Sequence, residues 1–387
     1  MNSFVYQNTT KVYFGQNQLN NLGSELSKYG KRVLLTYGGG SIKKTGLYDK
    51  IKQEIDKSNL QCFEFGGIEP NPRTTSVEEA AEICKKQKID VLLAVGGGSV
   101  LDCTKFIGAA TFYDGNPWDI VLGKAKVDKG LPLLTVLTLT ATGSEMNSGG
   151  VITNLETKDK IGNRLPFMQP KASFLDPTNT YSVDAYQTAC GAADILSHVI
   201  EVYFCKKQDL FLLDCIMESL MRTVVKYAPI AIKEPTNYEA RANLMWAGSW
   251  AINGLINGGK QQGWSCHPME HQLSAYYDIS HGLGLAILTP RWMEYCLDST
   301  TVDRFNQFAT NVFGITVDLS KMEIARIGIQ CLSDFLFKTC GLNSTLTSID
   351  IDSKFFVEMA KKAANGTKNS YKALTEQDIE KIYKMCL

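Results

Sequence analysis

Two short apolar runs in the first half of the chain, RVLLTY at 32–37 and VLLAV at 91–95, constrain the fold more than any other feature. Each run is apolar on both faces and stops at glycine. Such strands suit the interior of a parallel sheet that is covered by helices on both sides. Helical patterns at about 46–58 and 76–88 separate the runs. The first half is therefore predicted to be a layered α/β unit.

The sequence pattern changes near residue 180. Before that point, four more segments predict strands: QCFEF, LPLLTVLTLT, SGGVITN and KASFLDP. After it, segments with a 3.6-residue period predict helices at 185–204, 210–232, 238–255, 270–277, 283–297 and onward to 387. We expect an α/β N-terminal domain at 1–180 and an all-α C-terminal domain at 181–387, in keeping with the length of the chain.

The charge balance and the cysteines restrict the partners and the compartment. Lys plus Arg and Asp plus Glu are equal at 40 each, which argues against a nucleic-acid or anionic-membrane partner. The eleven cysteines are an odd number without a C-x-x-C pair, which fits a reducing compartment. The sequence shows no secretory signal and no membrane span of roughly 18 apolar residues. We expect a cytoplasmic protein.

Two glycine-rich turns each follow a predicted buried strand and lead into a helix. They consist of Gly38, Gly39, Gly40 and Ser41, and of Gly96, Gly97, Gly98 and Ser99. Consecutive glycines let backbone N–H groups approach an anion, and the following helix directs its positive end at the same point. The pair predicts one long ligand with two anionic parts, such as a dinucleotide. Neither turn matches G-x-G-x-x-G or the phosphate-loop pattern, so a plain βα turn is the alternative.

The first turn also bears on which dinucleotide would bind. NAD-selective sites place an acid here for the ribose 2′-hydroxyl, whereas a 2′-phosphate requires its absence. Residues 37–44 contain no acid and include Lys43 and Lys44. NADP(H) is therefore favoured, unless the two lysines are only a solvated helix start. In the second turn, Asp102 falls in the first turn of the helix.

The four histidines all lie between 198 and 281. Asp194 and His198 are spaced i,i+4 on one predicted helix, and His267 and His271 share that spacing, with His281 ten residues later. Singly, each is more typical of a hydrogen-bonded core residue, but together they predict a divalent metal site. Spacing does not decide which of the last three histidines is not a ligand, and Cys266 is a possible soft ligand.

Eight segments in this order resemble the iron-containing (group III) alcohol dehydrogenase family, and most closely its butanol dehydrogenase and NADPH-dependent aldehyde reductase branch. They are YGGGSIKKTG at 37–46, EPNP at 69–72, AVGGGSVLDCTK at 94–105, TLTATGSE at 138–145, ITNLETKDKIG at 152–162, LDP at 175–177, the Asp194/His198 segment, and HPMEH with HGLGLA at 267–286. The more general family form of the fourth segment is PTTAGTGSE.

The resemblance implies a dehydroquinate synthase-like fold with the active site in the cleft between the two domains. It implies that Asp194, His198, His267 and His281 ligate the metal, Fe²⁺ or Zn²⁺, a choice that this ligand set does not make. His271 would lie near the nicotinamide and the substrate.

The resemblance also implies the nucleotide contacts. The second glycine turn would hold the pyrophosphate, and the first turn the 2′-phosphate, since other branches carry Asp in the place of Gly39. Asp102 would lie near the nicotinamide ribose. Further cofactor contacts would come from Asn71, Thr138, Thr142, Asn147 and Lys160.

The expected function is a metal-dependent alcohol dehydrogenase or aldehyde reductase that transfers hydride between NADP(H) and short-chain substrates such as butanal and butanol. Asp102 and His271 are the predicted catalytic residues, His271 as a proton relay, and a homodimer is expected. The alternatives are a dehydroquinate synthase-like cyclase or lyase, a metal-dependent hydrolase and a non-enzymatic nucleotide-binding redox sensor. A cyclase would need cations for a polyanionic substrate, and 138–155 contains no Lys or Arg.

Overall fold

The computed structural model describes residues 1–206, 210–260 and 263–387. It divides into two compact units, one formed by Gln7–Val183 and the other by Met1–Tyr6 together with Asp184–Leu387. The division after Val183 lies three residues beyond the position expected from the sequence, and the first six residues belong to the helical unit. Among the described residues, no helix has both the length and the apolar character needed to cross a membrane.

The first unit is built on a parallel sheet with helices on both faces. Its strands are β1 (Lys11–Phe14), β2 (Arg32–Tyr37), β3 (Gln61–Phe65), β4 (Val91–Gly96), β5 (Leu133–Leu137), β6 (Gly149–Asn154), β7 (Asp159–Arg164) and β8 (Ala172–Leu175). Its helices are α1 (Leu22–Leu26), α2 (Ser41–Lys44), α3 (Leu47–Lys57), α4 (Thr74–Gln87), α5 (Gly98–Ala110) and α6 (Pro117–Val121). Within Gln7–Val183, all of which is described, the main sheet has the order β1-β8-β5-β4-β2-β3.

The two apolar runs are interior strands, as the sequence predicts. Both β2 and β4 have neighbours on each side. On one face, Val33 and Leu35 share a core with Ile51 and Ile55 of α3. On the other face, Gly108 of α5 approaches so closely that a β-carbon there would lie 3.1 Å from Leu92 Cδ1. The predicted parallel α/β architecture is confirmed.

The segment LPLLTVLTLT is a strand only in its first part. The strand β5 ends at Leu137, and the Thr138 N–H donates to the Gly96 carbonyl at 3.0 Å. The neighbouring strand β4 ends at Gly96, so no ladder remains for the rest of the segment to extend. The strands β6 and β7 form a separate antiparallel hairpin, whose second strand the sequence did not reveal.

Among its described residues, the second unit contains helices and no β-strand. Its helices are α7 (Ala185–Tyr203), α8 (Phe211–Lys233), α9 (Tyr238–Ile252), α10 (Cys266–Tyr277), α11 (His281–Cys296), α12 (Val302–Phe313), α13 (Lys321–Asp334), α14 (Phe356–Thr367) and α15 (Glu376–Met385). Their apolar faces share one core, in which Trp292, Phe305 and Phe308 are almost completely buried. The predicted change to an all-helical half is confirmed.

Two helix boundaries differ from the sequence prediction for identifiable reasons. Helix α9 ends at Ile252 rather than 255, because Gly254 adopts a left-handed φ of 95° that a helix cannot continue through. Helix α10 begins at Cys266 rather than Glu270. The Glu201 carboxylate accepts from the N–H groups of Ser265, Cys266 and His267, and so satisfies the start of this helix from a distant part of the chain.

Candidate functional site

The helix α7 carries the first two predicted metal ligands. Its start is capped by Asp184, whose side chain accepts from the Gln187 N–H at 2.7 Å. Ten residues into the helix, Asp194 and His198 are both buried, at 2% and 4% exposed. Their i,i+4 spacing places His198 Nε2 3.6 Å from Asp194 Oδ1.

The helices α10 and α11 bring two more histidines to the same carboxylate. His267 Nε2 lies 3.8 Å from Asp194 Oδ1, and His281 Nε2 lies 3.7 Å from it. The approach of α11 to α7 requires a glycine, because a β-carbon on Gly282 would lie 2.0 Å from the Cys190 carbonyl oxygen. Gly282, the residue next to His281, therefore permits the backbone contact that brings this histidine close to Asp194.

The arrangement fits a divalent cation. A tetrahedral ion with ligands about 2.1 Å away separates any two of them by about 3.4 Å, close to the observed Nε2–Oδ1 distances. Asp194, His267 and His281 each bring a ligand atom within 4.8 Å of the others. Among the described residues, Asp194 Oδ1 and His267 Nε2 are buried without a hydrogen-bond partner. A cation would satisfy both atoms at once.

The electrostatics of the cluster also suit a cation. Burial raises the pKa of the Asp194 carboxyl, but the three surrounding imidazoles outweigh burial and hold that pKa well below its usual range. Burial lowers the pKa of His198 to about 4, so this ring is neutral, as a metal ligand must be. Burial also lowers the pKa of His267, but Glu201 and Asp194 outweigh it and raise that pKa to about 9.

Two buried glutamates that sequence reasoning missed contact the rings of these histidines. Glu201 Oε1 lies 2.5 Å from His267 Nδ1. Glu270 contacts His281 Nδ1 and accepts from the Ser274 hydroxyl. Each glutamate follows a histidine by three residues, in SHVIE and HPMEH. A glutamate one helical turn after a predicted ligand is the sequence feature that could have pointed to both residues.

His271 and Cys266 occupy different positions relative to this cluster. The His271 ring is half-buried, with its centroid 5.6 Å from that of His281. It forms a second possible ligand group with Glu270 and His281, which overlaps the first because it shares His281. The Cys266 thiol belongs to neither group, and burial raises its pKa well above the usual value.

The second glycine turn connects β4 to α5. Gly97 is the N-cap of α5, which begins at Gly98 and Ser99. A β-carbon on Gly98 would lie 2.3 Å from the Thr142 hydroxyl, so the predicted contact residue Thr142 packs directly on this turn. Thr138 is joined to Gly96 by the backbone hydrogen bond described above. The predicted pyrophosphate and nicotinamide residues therefore lie together at the carboxyl ends of β4 and β5, where α/β sheets bind ligands.

Asp102 lies in a buried polar network behind this turn. Its Oδ1 accepts from the Ser144 hydroxyl at 2.5 Å, and its Oδ2 accepts from the Val151 N–H at 2.9 Å. Lys105 donates to Ser144 at 2.8 Å and to Asn147 at 3.1 Å. Burial raises the pKa of Asp102 and lowers that of Lys105 to about 8. The network joins α5 to the loop that follows β5.

Lys105 is the member of this network that sequence reasoning missed. Its ammonium also donates to the Gly149 carbonyl at 2.6 Å, so it links α5 to the start of β6.

The predicted contact residues Asn71 and Lys160 are buried in the same unit. Asn71 adopts a left-handed φ of 51°, and Lys160 lies on β7.

The first glycine turn connects β2 to α2. A β-carbon on Gly39 would meet no atom within 4 Å, and Gly40 adopts a φ of 95°. The Lys43 ammonium lies 4.9 Å from the centre of the Tyr37 ring and 5.0 Å from that of Tyr48. Glu64 of β3 accepts from both tyrosine hydroxyls, at 3.3 Å and 2.6 Å. The turn is open to a ligand, and a lysine lies beside it.

Comparison with known families agrees with this arrangement. Residues 9–177 match the profile of a family described as iron-containing alcohol dehydrogenase. Residues 188–387 match the profile described as Fe-containing alcohol dehydrogenase family, C-terminal. The two matches together cover nearly the whole chain.

Individual proteins extend the similarity over the full length. The chain is 48% identical to NADH-dependent butanol dehydrogenase B of Clostridium acetobutylicum, with 99% of each chain covered. It is 38% identical to the NADPH-dependent aldehyde reductase YqhD of Escherichia coli, with 94% of this chain and 93% of the relative covered. The crystal structure of NADH-dependent butanol dehydrogenase A from Thermotoga maritima superimposes with a TM-score of 0.95 at 37% identity, covering 100% of this chain and 99% of that one.

Proposed function

The chain belongs to the iron-containing alcohol dehydrogenase family. We propose that it interconverts short-chain aliphatic aldehydes and alcohols, such as butanal and butanol, with NADP(H) as hydride carrier. The observation that carries the metal-dependent part is the pair of buried atoms without hydrogen-bond partners, Asp194 Oδ1 and His267 Nε2, in a cluster of three imidazoles and one carboxylate. The family, and relatives named butanol dehydrogenase and aldehyde reductase, support metal-dependent alcohol dehydrogenase or aldehyde reductase chemistry.

The residues have distinct proposed roles. Asp194, His198, His267 and His281 would hold a divalent cation, Fe²⁺ or Zn²⁺. When bound, such a cation supplies Lewis acidity to a carbonyl oxygen, and a nicotinamide supplies or accepts the hydride. The backbone N–H groups at the start of α5 would bind the pyrophosphate. His271 would carry the proton between the substrate oxygen and solvent, and the Asp102 network would hold the loop that carries Thr142.

The choice of NADP(H) rests on the first glycine turn. Residues 37–44 carry no carboxylate, and the carboxylate that reaches Tyr37, Glu64, is already hydrogen-bonded to Tyr37 and Tyr48. A 2′-phosphate would meet Lys43 there rather than an acid. The relatives are named for both cofactors, since the butanol dehydrogenases are called NADH-dependent and the aldehyde reductase NADPH-dependent.

The test of cofactor choice is the substitution Gly39→Asp, with Gly39→Asn as its uncharged control. Both side chains fit, because a β-carbon at Gly39 meets no atom within 4 Å and the backbone φ is not left-handed. The Asp variant should lower kcat/KM for NADPH by roughly tenfold or more through charge repulsion, while the Asn variant stays near the wild type. A wild-type enzyme whose kcat/KM is higher with NADH than with NADPH would contradict the proposal.

The reaction itself is tested by following butanol formation from butanal together with NADPH oxidation, before and after metal chelation. A metal-dependent alcohol dehydrogenase produces one butanol for each NADPH consumed and loses this activity on chelation. Binding of NADPH without turnover would instead favour the redox sensor. Turnover that chelation leaves unchanged would contradict a catalytic metal.

We also propose that the protein is a homodimer. The strand β1 lies at one edge of the main sheet and pairs only with β8 among the described residues. An edge strand presents unpaired N–H and C=O groups that a second copy can bind. Light scattering during size-exclusion chromatography should give about twice the mass of one chain.

The proposed location is the cytoplasm. The structure describes all eleven cysteines, and each is a free thiol. Free thiols in this number suit a reducing compartment. Fractionation of the native cells should recover the protein with cytosolic enzymes, and recovery from a secreted fraction would contradict the proposal.

A further inference from the structure

We propose that Glu201 and Glu270 are positioning residues that fix which ring nitrogen of His267 and His281 faces the metal, and so set the affinity of the centre for a divalent cation. The inference rests on the proposed metal centre but concerns two residues outside its proposed ligand set. The nitrogens concerned are Nδ1 and Nε2 of His267 and of His281.

Glu201 determines the state of His267. Its side chain is 1% exposed, and its Oε1 lies 2.5 Å from His267 Nδ1. Its carboxylate also accepts from the Cys266 N–H at 2.9 Å and the His267 N–H at 3.1 Å, so it is surrounded by donors. An ionised carboxylate can only accept hydrogen bonds. His267 therefore holds a proton on Nδ1, which leaves Nε2, 3.8 Å from Asp194 Oδ1, as the nitrogen that faces the proposed metal position.

Glu270 does the same for His281 from another element. It is completely buried on α10 and contacts His281 Nδ1 and the Ser274 hydroxyl. The sequence makes room for it at Gly284 of α11, where a β-carbon would lie 2.7 Å from Glu270 Cγ. With the Nδ1 proton held by Glu270, His281 Nε2 is left as the atom 3.7 Å from Asp194 Oδ1.

His198 shows that this arrangement is specific to two of the three rings. Its Nδ1 is buried without a hydrogen-bond partner among the described residues. Its ring stacks on that of His267 at a centroid distance of 4.6 Å. Two rings thus have a buried carboxylate behind them and one does not. Carboxylates in this position make an imidazole a better metal ligand and hold its orientation.

The test compares Glu201→Gln and Glu270→Gln with the control Glu218→Gln. Glutamine keeps the shape of glutamate, but it is uncharged and has one acceptor oxygen in place of two, so it binds the Nδ1 proton of the facing ring more weakly. Glu218 is an equally buried glutamate of the same unit that accepts from Tyr203 at 2.8 Å and Asn311 at 2.9 Å. These partners are a tyrosine and an asparagine rather than a histidine, so Glu218→Gln controls for the loss of a buried charge.

The measurement is Zn²⁺ affinity of the full-length metal-free protein, by competition with a chromophoric chelator. We expect affinity to fall about 10- to 100-fold in each of the first two variants and to change less than threefold in Glu218→Gln. The absorption spectrum of bound Co²⁺ should shift in the same two variants only. Nitrogen NMR should show a smaller fraction of the ring protonated on Nδ1 for His267 in Glu201→Gln, and for His281 in Glu270→Gln.

The outcomes separate the two proposals. Affinity and ring tautomers unchanged in Glu201→Gln and Glu270→Gln would overturn this inference. Glu201 also accepts hydrogen bonds at the start of α10, so Glu201→Gln can destabilise the protein for that reason alone. Glu270 accepts none from a helix start, so in that case the Zn²⁺ affinity of Glu270→Gln tests the inference. A wild-type protein that binds Zn²⁺ as expected but does not turn over butanal would contradict the proposed function and leave this inference standing.

Discussion

Asp194 organises the candidate metal centre at the scale of single residues. One of its oxygens lies 3.6–3.8 Å from an Nε2 atom of three histidines that come from three helices. The three rings have different local contacts. His198 shares a helix face with Asp194, and His267 contacts Glu201. His281 contacts Glu270 and lies next to the close packing at Gly282. His271 lies beside this cluster, with its ring centroid 5.6 Å from that of His281.

The substitution His271→Gln tests that role. We expect kcat for butanal reduction to fall by about 10²-fold, the lower end of the range for general acid–base groups, while metal content stays at the wild-type level. Elemental analysis and steady-state kinetics on the same preparation provide the measurement. His267→Gln is the comparison, since it should lose metal. Loss of metal from His271→Gln as well would place this residue in the ligand set.

Two contacts join neighbouring elements of the fold. Helix α11 contacts α7 through Gly282, where an added β-carbon would lie 2.0 Å from the Cys190 carbonyl oxygen. In the first unit, Glu25 of α1 binds the edge strand β1 through Lys11 at 2.7 Å and through Tyr13, and it also binds Lys28. Each contact is specific enough that one substitution tests it.

The substitution Gly282→Ala adds a β-carbon that would lie 2.0 Å from a backbone oxygen. Because a backbone atom cannot rotate away as a side chain can, α7 and α11 must separate. We expect the free energy of unfolding to fall by about 1–3 kcal/mol or more, and Zn²⁺ affinity to fall with it. Urea unfolding gives the measurement, with Gly39→Ala, in open space, as the control. Equal stability of the two variants would show that the contact is dispensable.

The contact of Glu25 predicts a dependence of stability on pH. Burial acts to raise the pKa of this carboxyl, but hydrogen bonds from Lys11, Lys28 and Tyr13 outweigh it and lower the pKa to about 2. An unfolded glutamate has a pKa of about 4.3. The interaction therefore stabilises the fold fully above about pH 4.3 and is lost as the pH falls toward the folded-state pKa.

The substitution Glu25→Gln should reveal this dependence. We expect a loss of about 1 kcal/mol at pH 7, since both lysines are exposed and solvent screens the pairs. The difference from wild type should stay constant down to about pH 5 and shrink below about pH 4.3. Urea unfolding from pH 7 to pH 3.5 measures it, and Glu54→Gln, which removes the pair with exposed Lys57, is the control. A difference that does not vary with pH would contradict the assignment.

At the scale of the whole molecule, the chain forms two units that each have their own hydrophobic core. The proposed metal ligands all belong to the helical unit, and the proposed nucleotide contacts all belong to the α/β unit. A ligand that binds only the folded state stabilises the unit that holds it by mass action. The two ligands should therefore act on different parts of the unfolding transition.

Calorimetry can separate these effects. Zn²⁺ at 100 times its dissociation constant should stabilise the helical unit by about 2.7 kcal/mol, and NADPH at the same excess should stabilise the α/β unit by a similar amount. Hydrogen exchange assigns each effect to its unit through peptides from β4 and from α7. Protection by Zn²⁺ that is greatest in β4 would contradict the assignment of the metal to the helical unit.

Much of this molecule could be predicted from local patterns. The apolar runs of β2 and β4 predicted interior parallel strands because a strand buried on both faces has no polar side. The spacing of Asp194 and His198 predicted a shared helix face because helix geometry alone fixes it. Glu201 escaped prediction because its partners at 265–267 are remote in sequence. The second hairpin strand β7 escaped because DKIGNR is too polar to stand out as a strand.

The two-part architecture, the glycine turns and the candidate metal-ligating residues could be read from the sequence, since these follow from periodicity, backbone freedom and side-chain chemistry within a few residues. Packing in three dimensions settles which histidine nitrogens converge on Asp194, which glutamates contact the far side of those rings, and where α10 begins. Those outcomes depend on packing between segments that are tens of residues apart, and a backbone approach such as that of Gly282 to Cys190 leaves no mark in the local pattern of either segment.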